Sequence, residues 1–258
     1  MIRAANFAFR HSAESQRRNL TYKYCMFNLA KKLLGRDLLM RQLDYCRELD
    51  WANVYRDSIK GISWLDKIPM NFGRWAGNYP FFYVLNRILS ETRPRSILEL
   101  GLGESSKFIS AHLDNSLDET THTIIEHDKS WSDTFKDRFS LCSRSVVKIH
   151  ALTTKNVYGH DVNVYQNIPE YSQESYDLYI VDGPFGSPRY SRYDIVNLVE
   201  NLSKNDDFII MLDDVQKRGE QDTFESLLKI FQKVPLWVYF TSIKMVLIVQ
   251  VLKIGQEK

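Results

Sequence analysis

Residues 96–106, which read Ser-Ile-Leu-Glu-Leu-Gly-Leu-Gly-Glu-Ser-Ser, constrain the fold of this chain more than any other segment. A short apolar stretch ends in two glycines, and residues 104–112 then have helical character. Glycine lacks the Cβ that would hinder a tight turn or the close approach of a ligand to the backbone. A helix that starts there directs its N-terminal amides and positive dipole end at the same point. The segment therefore predicts a strand, turn and helix of the kind that holds nucleotide-like cofactors in doubly wound α/β sheets.

Apolar runs and amphipathic segments alternate downstream of residue 95. Several of the apolar runs are hydrophobic throughout, as is typical of parallel strands buried on both faces. The predicted strands cover residues 96–100, 123–126, 146–150, 178–182 and 208–212. The predicted helices cover residues 104–112, 129–139, 193–202 and 220–232. The connection at 153–175 is polar and weakly helical, and we expect it to be mostly loop.

The C-terminal part of the chain predicts a hairpin. Two strand-like runs, 237–241 and 244–251, are separated by two residues, which is too few for a crossover helix, so one run must be antiparallel. We therefore predict an α/β fold with a Rossmann-like seven-stranded sheet, mostly parallel, that ends in a C-terminal antiparallel hairpin. Apolar residues at helical spacing in 20–60 predict an N-terminal helical region. The predicted boundary separates a cap region, 1–80, from a core domain, 81–258.

Charge and cysteine content narrow the class of protein. Residues 1–41 hold nine Lys and Arg against two acids, whereas the whole chain carries a net charge of +2. Such a basic segment can contact a polyanion or form a solvated helix face. No apolar run approaches the ~20 residues of a membrane span, and no signal-peptide core precedes the fold. Three scattered cysteines without a CxxC motif indicate a reducing compartment, so we expect a cytoplasmic protein. A homo-oligomeric state stays open.

An acidic residue ends the second predicted strand. Glu126 closes the run Thr-Ile-Ile-Glu, and Asp128 is a neighbouring alternative. An acid at this place usually accepts hydrogen bonds from ribose hydroxyls. The glycine turn, the strand-terminal acid and the terminal hairpin together predict a nucleoside-containing cofactor.

The sequence resembles the class I S-adenosylmethionine-dependent methyltransferases over residues 80–258. The resemblance rests on the runs at 99–103 (Glu-Leu-Gly-Leu-Gly), 125–126 (Ile-Glu), 176–183 (Tyr-Asp-Leu-Tyr-Ile-Val-Asp-Gly) and 208–214 (Phe-Ile-Ile-Met-Leu-Asp-Asp), and on the hairpin. It implies S-adenosylmethionine as cofactor, with Gly101 and Gly103 at its methionine part and Glu126 at its ribose. Ser105 stands where a third glycine is frequent. The predicted cofactor-binding set is Glu99, Gly101, Gly103, Ser105, Glu126 and Asp182.

Methyl transfer requires an aligned acceptor and removal of its proton, so catalytic side chains are expected at the carboxyl ends of the fourth and fifth strands. Asp182 is the predicted catalytic residue. A resemblance to metal-dependent O-methyltransferases of the catechol and sugar-modifying types implies Mg²⁺ held by Asp182, Asp213 and Asp214. Two alternatives stay open: Asp182 acts alone as general base, or these acids cap helices and pair with arginines.

The acceptor site is predicted from basic and aromatic residues. Arg189 and Arg192 can grip a carboxylate or phosphate, and Trp75 and Tyr79 offer flat surfaces for sugar or aromatic rings. Pairing with acids and core packing explain the same residues equally well. His127, His150 and His160 lack metal-ligand spacing and are interpreted as structural or surface residues.

The leading hypothesis is O-methylation of a small polar or glycan acceptor. One alternative is a nicotinamide-dependent oxidoreductase, although Ser106 breaks the GxGxxG spacing. Another is a non-catalytic domain that binds partners through its basic N-terminal arm. A nucleic-acid substrate is not expected. Residues 182–185 read Asp-Gly-Pro-Phe and not Asn-Pro-Pro-Tyr, which argues against N-methylation of adenine, while an RNA substrate stays open.

Overall fold

The computed structural model describes residues 38–39, 42–73, 76–202, 207–231, 237–240 and 246–250. The chain divides into two compact units, Met1–Asp50 and Trp51–Lys258. Residues 42–50 of the first unit are helical, and residues 20–37, 40 and 41 of the predicted N-terminal helical region lie outside the described residues. Among the described residues, no helix has the length and apolarity that a membrane crossing requires.

The second unit contains six helices, one 3₁₀ turn and nine strands in its described part. Helix α1 comprises residues 51–59. The other helices are α2 (Tyr79–Thr92), α3 (Glu104–Asn115), α4 (Lys129–Arg138), α5 (Asp194–Val199) and α6 (Arg218–Ile230). The strands are β1 (Ser96–Leu100), β2 (Thr121–Glu126), β3 (Ser145–Ile149), β4 (Leu152–Val157), β5 (His160–Tyr165), β6 (Leu178–Val181), β7 (Phe208–Leu212), β8 (Trp237–Phe240) and β9 (Val246–Gln250). The 3₁₀ turn is Ile168–Tyr171.

Seven strands form one sheet in the order β3-β2-β1-β6-β7-β9-β8. Strands β3, β2, β1, β6 and β7 are parallel, whereas β9 is antiparallel to both β7 and β8. The predicted fold class is therefore confirmed. The chain proceeds outward from β1 to β3 and then returns to β6 on the other side of β1, so the strand order reverses between β1 and β6. Ligands bind in such sheets outside the carboxyl ends of the strands at this reversal.

The connection predicted as mostly loop contains a hairpin instead, so that part of the prediction is wrong. Strands β4 and β5 pair antiparallel as a separate two-stranded sheet. The two residues that join them, Tyr158 and Gly159, have φ angles of +50° and +85°, which suit a two-residue hairpin turn. One face of the hairpin is apolar and buried through Val162 and Val164. The other face is exposed, so the segment is polar on average and its alternation is easy to miss.

Alternate residues of the central strands supply two cores, one on each face of the sheet. In β6, Tyr179 and Val181 belong to one buried cluster, while Leu178 and Ile180 belong to the other. Each fully buried aliphatic side chain contributes about 1.5–3 kcal/mol relative to exposure. Residues 51–73 join the second cluster through Tyr55 and other buried side chains, so they belong to the same unit as the sheet.

Candidate functional site at the carboxyl ends of the strands

The turn after β1 brings two strand ends into backbone contact. Gly101 has a φ of +101°, and its amide donates to the carbonyl oxygen of Ile125 at 2.8 Å. A Cβ on Gly101 would lie 3.2 Å from the carbonyl carbon and oxygen of Asp182, and a Cβ on Gly183 would lie 2.9 Å from the Cα of Gly101. Glycine is required at Gly101 both by this conformation and by the space. The turn therefore places Asp182 directly beside the end of β1.

Gly103 begins helix α3 and faces open space. Its amide donates to the Oγ of Ser106 at 3.0 Å. No described heavy atom lies within 4 Å of the position that a Cβ would take on Gly103. A ligand can therefore approach the backbone here, at the positive end of a 12-residue helix.

Glu99 is fully buried and supports the turn from inside the sheet. Ser105 and Ser106 both donate to its carboxylate, the latter at 2.7 Å. His122 Nε2 lies 3.0 Å from the same carboxylate, and His122 Nδ1 lies 3.1 Å from the Oγ of Ser145. Two residues of the predicted cofactor set, Glu99 and Ser105, thus bind one another and fix the first turn of α3.

Glu126 holds the same turn from the second strand. Its Oε2 accepts the amide of Leu102 at 3.0 Å, and its Oε1 accepts the amides of His127 and Asp128 at 2.6 and 2.8 Å. The side chain is buried, with 4% of the residue exposed. A carboxylate has about four acceptor positions, so three fixed donors leave one position on Oε2. Asp128 itself caps α4 by accepting the amide of Trp131 at 3.0 Å.

His127 is part of the site, although its sequence spacing suggested a structural or surface residue. Its Nδ1 lies 2.8 Å from Glu126 Oε1. Its ring packs edge-on against Phe185, with 4.6 Å between the ring centroids, and Phe185 is exposed. The sequence does indicate this position, because His127 directly follows Glu126. A residue that follows a strand-terminal acid must lie at the same edge of the sheet.

The ends of β6 and β7 converge on Arg192, which is 6% exposed. Its Nη2 lies 2.9 Å from Asp182 Oδ1 and 3.1 Å from Asp214 Oδ2, and its Nη1 donates to the carbonyls of Val181 and Asp213. Arg192 Nε lies 3.8 Å from Glu220 Oε1. One buried guanidinium therefore joins two strand ends and three carboxylates.

These charges shift the proton affinities of the acids. Burial raises the pKa of Asp182 to about 7; Arg192 opposes this effect, while Asp213 and Asp214 add to it. Burial also acts to raise the pKa of Asp214, but a hydrogen bond from Lys217 and the charge of Arg192 outweigh it and hold that pKa below its usual range. Of Asp182 and Asp214, Asp182 is therefore the one that takes up a proton near neutral pH.

The predicted metal ligands do lie together. Asp182, Asp213 and Asp214 each offer a carboxylate oxygen within 4.8 Å of the others, a separation that one divalent ion could bridge. Arg192, however, already bonds to the carboxylates of Asp182 and Asp214. A divalent ion at the three aspartates would therefore share two of its carboxylate ligands with this guanidinium. Arg192 already supplies positive charge to the cluster, and we derive no step through a metal.

The residues predicted to hold the acceptor lie in different surroundings in the structure. Arg189 binds the carboxylate of Asp222, with Nη2 to Oδ1 at 3.1 Å, and so ties its loop to α6. Tyr79 packs in an aromatic cluster, 4.9 Å from the Phe72 ring. Trp75 lies outside the described residues. The preceding segment does reach the turn, because the amide of Asn71 donates to Glu104 Oε2 at 3.0 Å.

No protein-family model and no curated protein sequence matches the chain. Solved structures resemble it weakly. The methyltransferase PaMTH1 of Podospora anserina, bound to SAH, is 13% identical over 66% of this chain and 77% of its own, with a TM-score of 0.43. Human methyltransferase-like protein 13 in complex with SAH is 16% identical over 67% and 79%, with a TM-score of 0.42. The Methanococcus jannaschii fibrillarin pre-rRNA processing protein is 13% identical over 61% and 67%, with a TM-score of 0.39. Similarities this low leave the function to be argued from the chain's own residues.

Proposed function

We propose that the protein is an S-adenosylmethionine-dependent methyltransferase that methylates a hydroxyl group of a small polar or saccharide acceptor. The observation that carries this proposal is the junction of Gly101 with Asp182 and Gly183 at the reversal of strand order. This junction sets an acid with a pKa near 7 beside a ligand-accessible glycine turn. A cofactor held at the turn would therefore lie next to a group able to take a proton from the acceptor.

Three features support binding of the cofactor. Gly103 leaves the backbone at the start of α3 open to a ligand. Glu126 keeps one acceptor position for a ribose hydroxyl while its other positions fix the turn. The exposed ring of Phe185, which packs edge-on against His127, offers a flat surface near that carboxylate.

Asp182 is proposed to act as the general base. Bound S-adenosylmethionine would supply a methyl group attached to a sulfonium sulfur. After transfer of the methyl group, the rest of the cofactor is a neutral thioether, S-adenosylhomocysteine. The acceptor oxygen gains the methyl group, and its proton passes to a carboxylate oxygen of Asp182. Arg192 positions that carboxylate through its 2.9 Å contact, and the proton affinity of Asp182 is suited to transfer near neutral pH.

Equilibrium binding of S-adenosylhomocysteine to the full chain tests the first half of the proposal. Calorimetry is expected to show one site with a micromolar dissociation constant. Replacing Gly103 by Asp, which adds a carboxylate at the open face of the turn, is expected to weaken binding by at least about tenfold, or 1.4 kcal/mol. Ser140→Asp, which adds a carboxylate at an exposed residue after α4 and outside the site, is the control. Absence of binding at millimolar ligand would refute the cofactor assignment, and a fluorescence change with NADH instead would favour the oxidoreductase.

A further inference from the structure

Exposed apolar side chains are concentrated in the first unit of the chain. Of the eleven large apolar side chains that are exposed in the described residues, five lie between residues 38 and 49. Their exposed fractions range from 42% to 71%. We call them the apolar face, and they are Leu38, Leu39, Leu43, Tyr45 and Leu49. Single exposed apolar residues are ordinary, but a concentration of this kind marks an interaction surface.

The helical pattern gathers these side chains on one side. Residues 38–39 and 42–50 are helical. At 3.6 residues per turn, Leu43, Cys46 and Leu49 follow one another along the same side of the helix. Asp44 and Glu48 lie on the opposite side. The helix is therefore amphipathic, and the side that carries the leucines is the side exposed to solvent.

The sequence around this helix is strongly basic. Between Glu14 and Asp44 the chain holds seven Lys and Arg and a single acid, Asp37, which gives a net charge of +6. Tyrosines, leucines and a phenylalanine are interspersed with these cations. A basic segment with apolar residues at helical spacing is typical of sequences that bind a membrane surface.

The combination of charge and apolar surface distinguishes among possible partners. A second copy of the chain would bring two segments of charge +6 together, and like charges repel. A nucleic acid would neutralise the cations but leave the leucines in water, because charged phosphates form most of its outer surface. An anionic lipid surface offers phosphates to the cations and hydrocarbon to the leucines.

We infer that the apolar face, together with the basic residues that precede it, binds this protein to an anionic membrane surface. The helix lies in the plane of the surface, with the leucines at the boundary between lipid headgroups and acyl chains. Lysine and arginine side chains extend to the lipid phosphates. The inference is independent of the proposed function, since it uses none of the residues at the carboxyl ends of the strands.

Flotation of the full chain with lipid vesicles tests the binding. Vesicles of equal parts phosphatidylcholine and phosphatidylglycerol are expected to carry the protein, whereas vesicles of phosphatidylcholine alone should not. Binding should weaken as salt rises from about 0.1 to 1 M, because the Debye length shortens from about 10 to 3 Å. A protein that stays unbound with the anionic vesicles at about 0.1 M salt would overturn the inference.

Cys46 allows the lipid contact to be located. It is exposed on the apolar side of the helix, whereas Cys142 is buried. In the C25S variant, a polarity-sensitive fluorophore on Cys46 should shift its emission to the blue when anionic vesicles are added. The same fluorophore on C25S/C46S/S140C, at an exposed residue after α4, should not shift. Unchanged emission at Cys46 on vesicles that do carry the protein would show that the apolar face stays in water, against the inference.

The L39Q/L43Q/L49Q variant tests the apolar contribution. Glutamine keeps a helix propensity close to that of leucine but removes the apolar side chain. Binding to the anionic vesicles should weaken at least about tenfold. The matched control is V146T/I149T, which removes two other exposed apolar side chains, on β3, and should bind as the wild type does.

The K31Q/K32Q variant tests the charge contribution. Loss of two cations near an anionic surface should weaken vesicle binding at least about fivefold. The matched control is K136Q/R138Q, which removes two exposed cations from the end of α4 and should leave binding unchanged. Equal affinity of the wild type, the lysine variant and the leucine variant would overturn the inference.

Light scattering and urea denaturation of L39Q/L43Q/L49Q in solution test other ways of covering the apolar face. The variant should keep the oligomeric state and the free energy of unfolding of the wild type. Loss of a dimer with unchanged vesicle binding would assign the face to a second copy, and loss of stability with unchanged vesicle binding would assign it to the chain itself. Binding of duplex DNA in place of the vesicles would assign the cations to a nucleic acid. Each of these three results would overturn the inference.

Discussion

The two halves of the candidate site are built in opposite ways. At the ends of β1 and β2, the buried acids Glu99 and Glu126 meet fixed donors from serines, a histidine and backbone amides. At the ends of β6 and β7, three carboxylates share one buried guanidinium, and the pKa of Asp182 rises to about 7. Hydrogen bonds from fixed donors hold the shape of the turn in the first half, whereas the carboxylates around one arginine in the second half leave a group able to exchange protons. We therefore assign binding geometry to the first half and chemistry to the second.

Replacing Asp182 by Asn should have the largest effect on activity. Removal of a general base is expected to lower kcat by about 10²–10⁴-fold. The affinity for S-adenosylhomocysteine should change little, because the turn is held from β1 and β2. In the wild type, kcat should fall as the pH drops below about 7, since Asp182 then carries a proton.

The matched control for this variant is D214N, because Asp214 contacts the same guanidinium but has a lowered pKa. Its kcat should fall less than about tenfold, because Asp214 affects the reaction only through its contact with Arg192. Release of S-adenosylhomocysteine in the presence of a saccharide acceptor provides the assay. If D182N kept most of the wild-type rate, the assignment of the chemistry to the ends of β6 and β7 would be wrong.

Replacing Glu99 by Gln should have the largest effect on stability. The amide nitrogen would replace one carboxylate oxygen, and so would face either Ser105 or the pair Ser106 and His122, leaving at least one buried donor without its acceptor. The expected loss is about 2–4 kcal/mol in the free energy of unfolding, measured by urea denaturation. E91Q, at an exposed acid of α2 paired with Arg87, should lose at most about 0.5 kcal/mol. Equal losses would mean that the Glu99 network does not support the turn.

The difference between the two halves of the site also shows which of their features could be predicted from the sequence. Strand-terminal acids and paired glycines are local patterns, so Gly101, Glu126 and the order of elements follow from residues that are close in the chain. The position of Arg192 does not, because its three carboxylate partners come from separate segments that meet only in the fold. The leading interpretation of the sequence placed Arg192 at an acceptor and the three aspartates at a metal. Pairing of these acids with arginines was the open alternative, and the structure shows it for Asp182 and Asp214. The β4–β5 hairpin was missed for another reason: its exposed face makes a buried strand pair look polar.

Asp194 tests how burial alone affects a carboxyl group, because no arginine contact is described for it. Burial raises the pKa of Asp194 to about 7, although the amide of Tyr165 and the charge of Lys155 oppose it. A carboxyl with a raised folded pKa binds its proton more tightly in the folded than in the unfolded state, so stability should fall as the pH rises from about 4 to 7 and stay low above that.

The variant D194N removes this titration. It should match the wild type near pH 4 and exceed its free energy of unfolding by roughly 2–4 kcal/mol at pH 8. D161N, at an exposed aspartate of β5, is the matched control. Denaturation at the two pH values measures the change, and parallel profiles for wild type and D194N would show that ionisation of Asp194 costs nothing in the fold.

Chelation should have the smallest effect, because Arg192 already supplies the cation of the acid cluster. EDTA is expected to leave turnover unchanged, and the wild type should show no stoichiometric Mn²⁺ by electron paramagnetic resonance. The R192A variant sharpens the comparison. Without the guanidinium, Asp182, Asp213 and Asp214 keep oxygens within 4.8 Å of one another and carry uncompensated negative charge, so Mn²⁺ should then bind. Tight Mn²⁺ binding by the wild type, together with loss of turnover in EDTA, would instead show that a metal displaces Arg192 in the working enzyme and that the magnesium site predicted from the sequence is real.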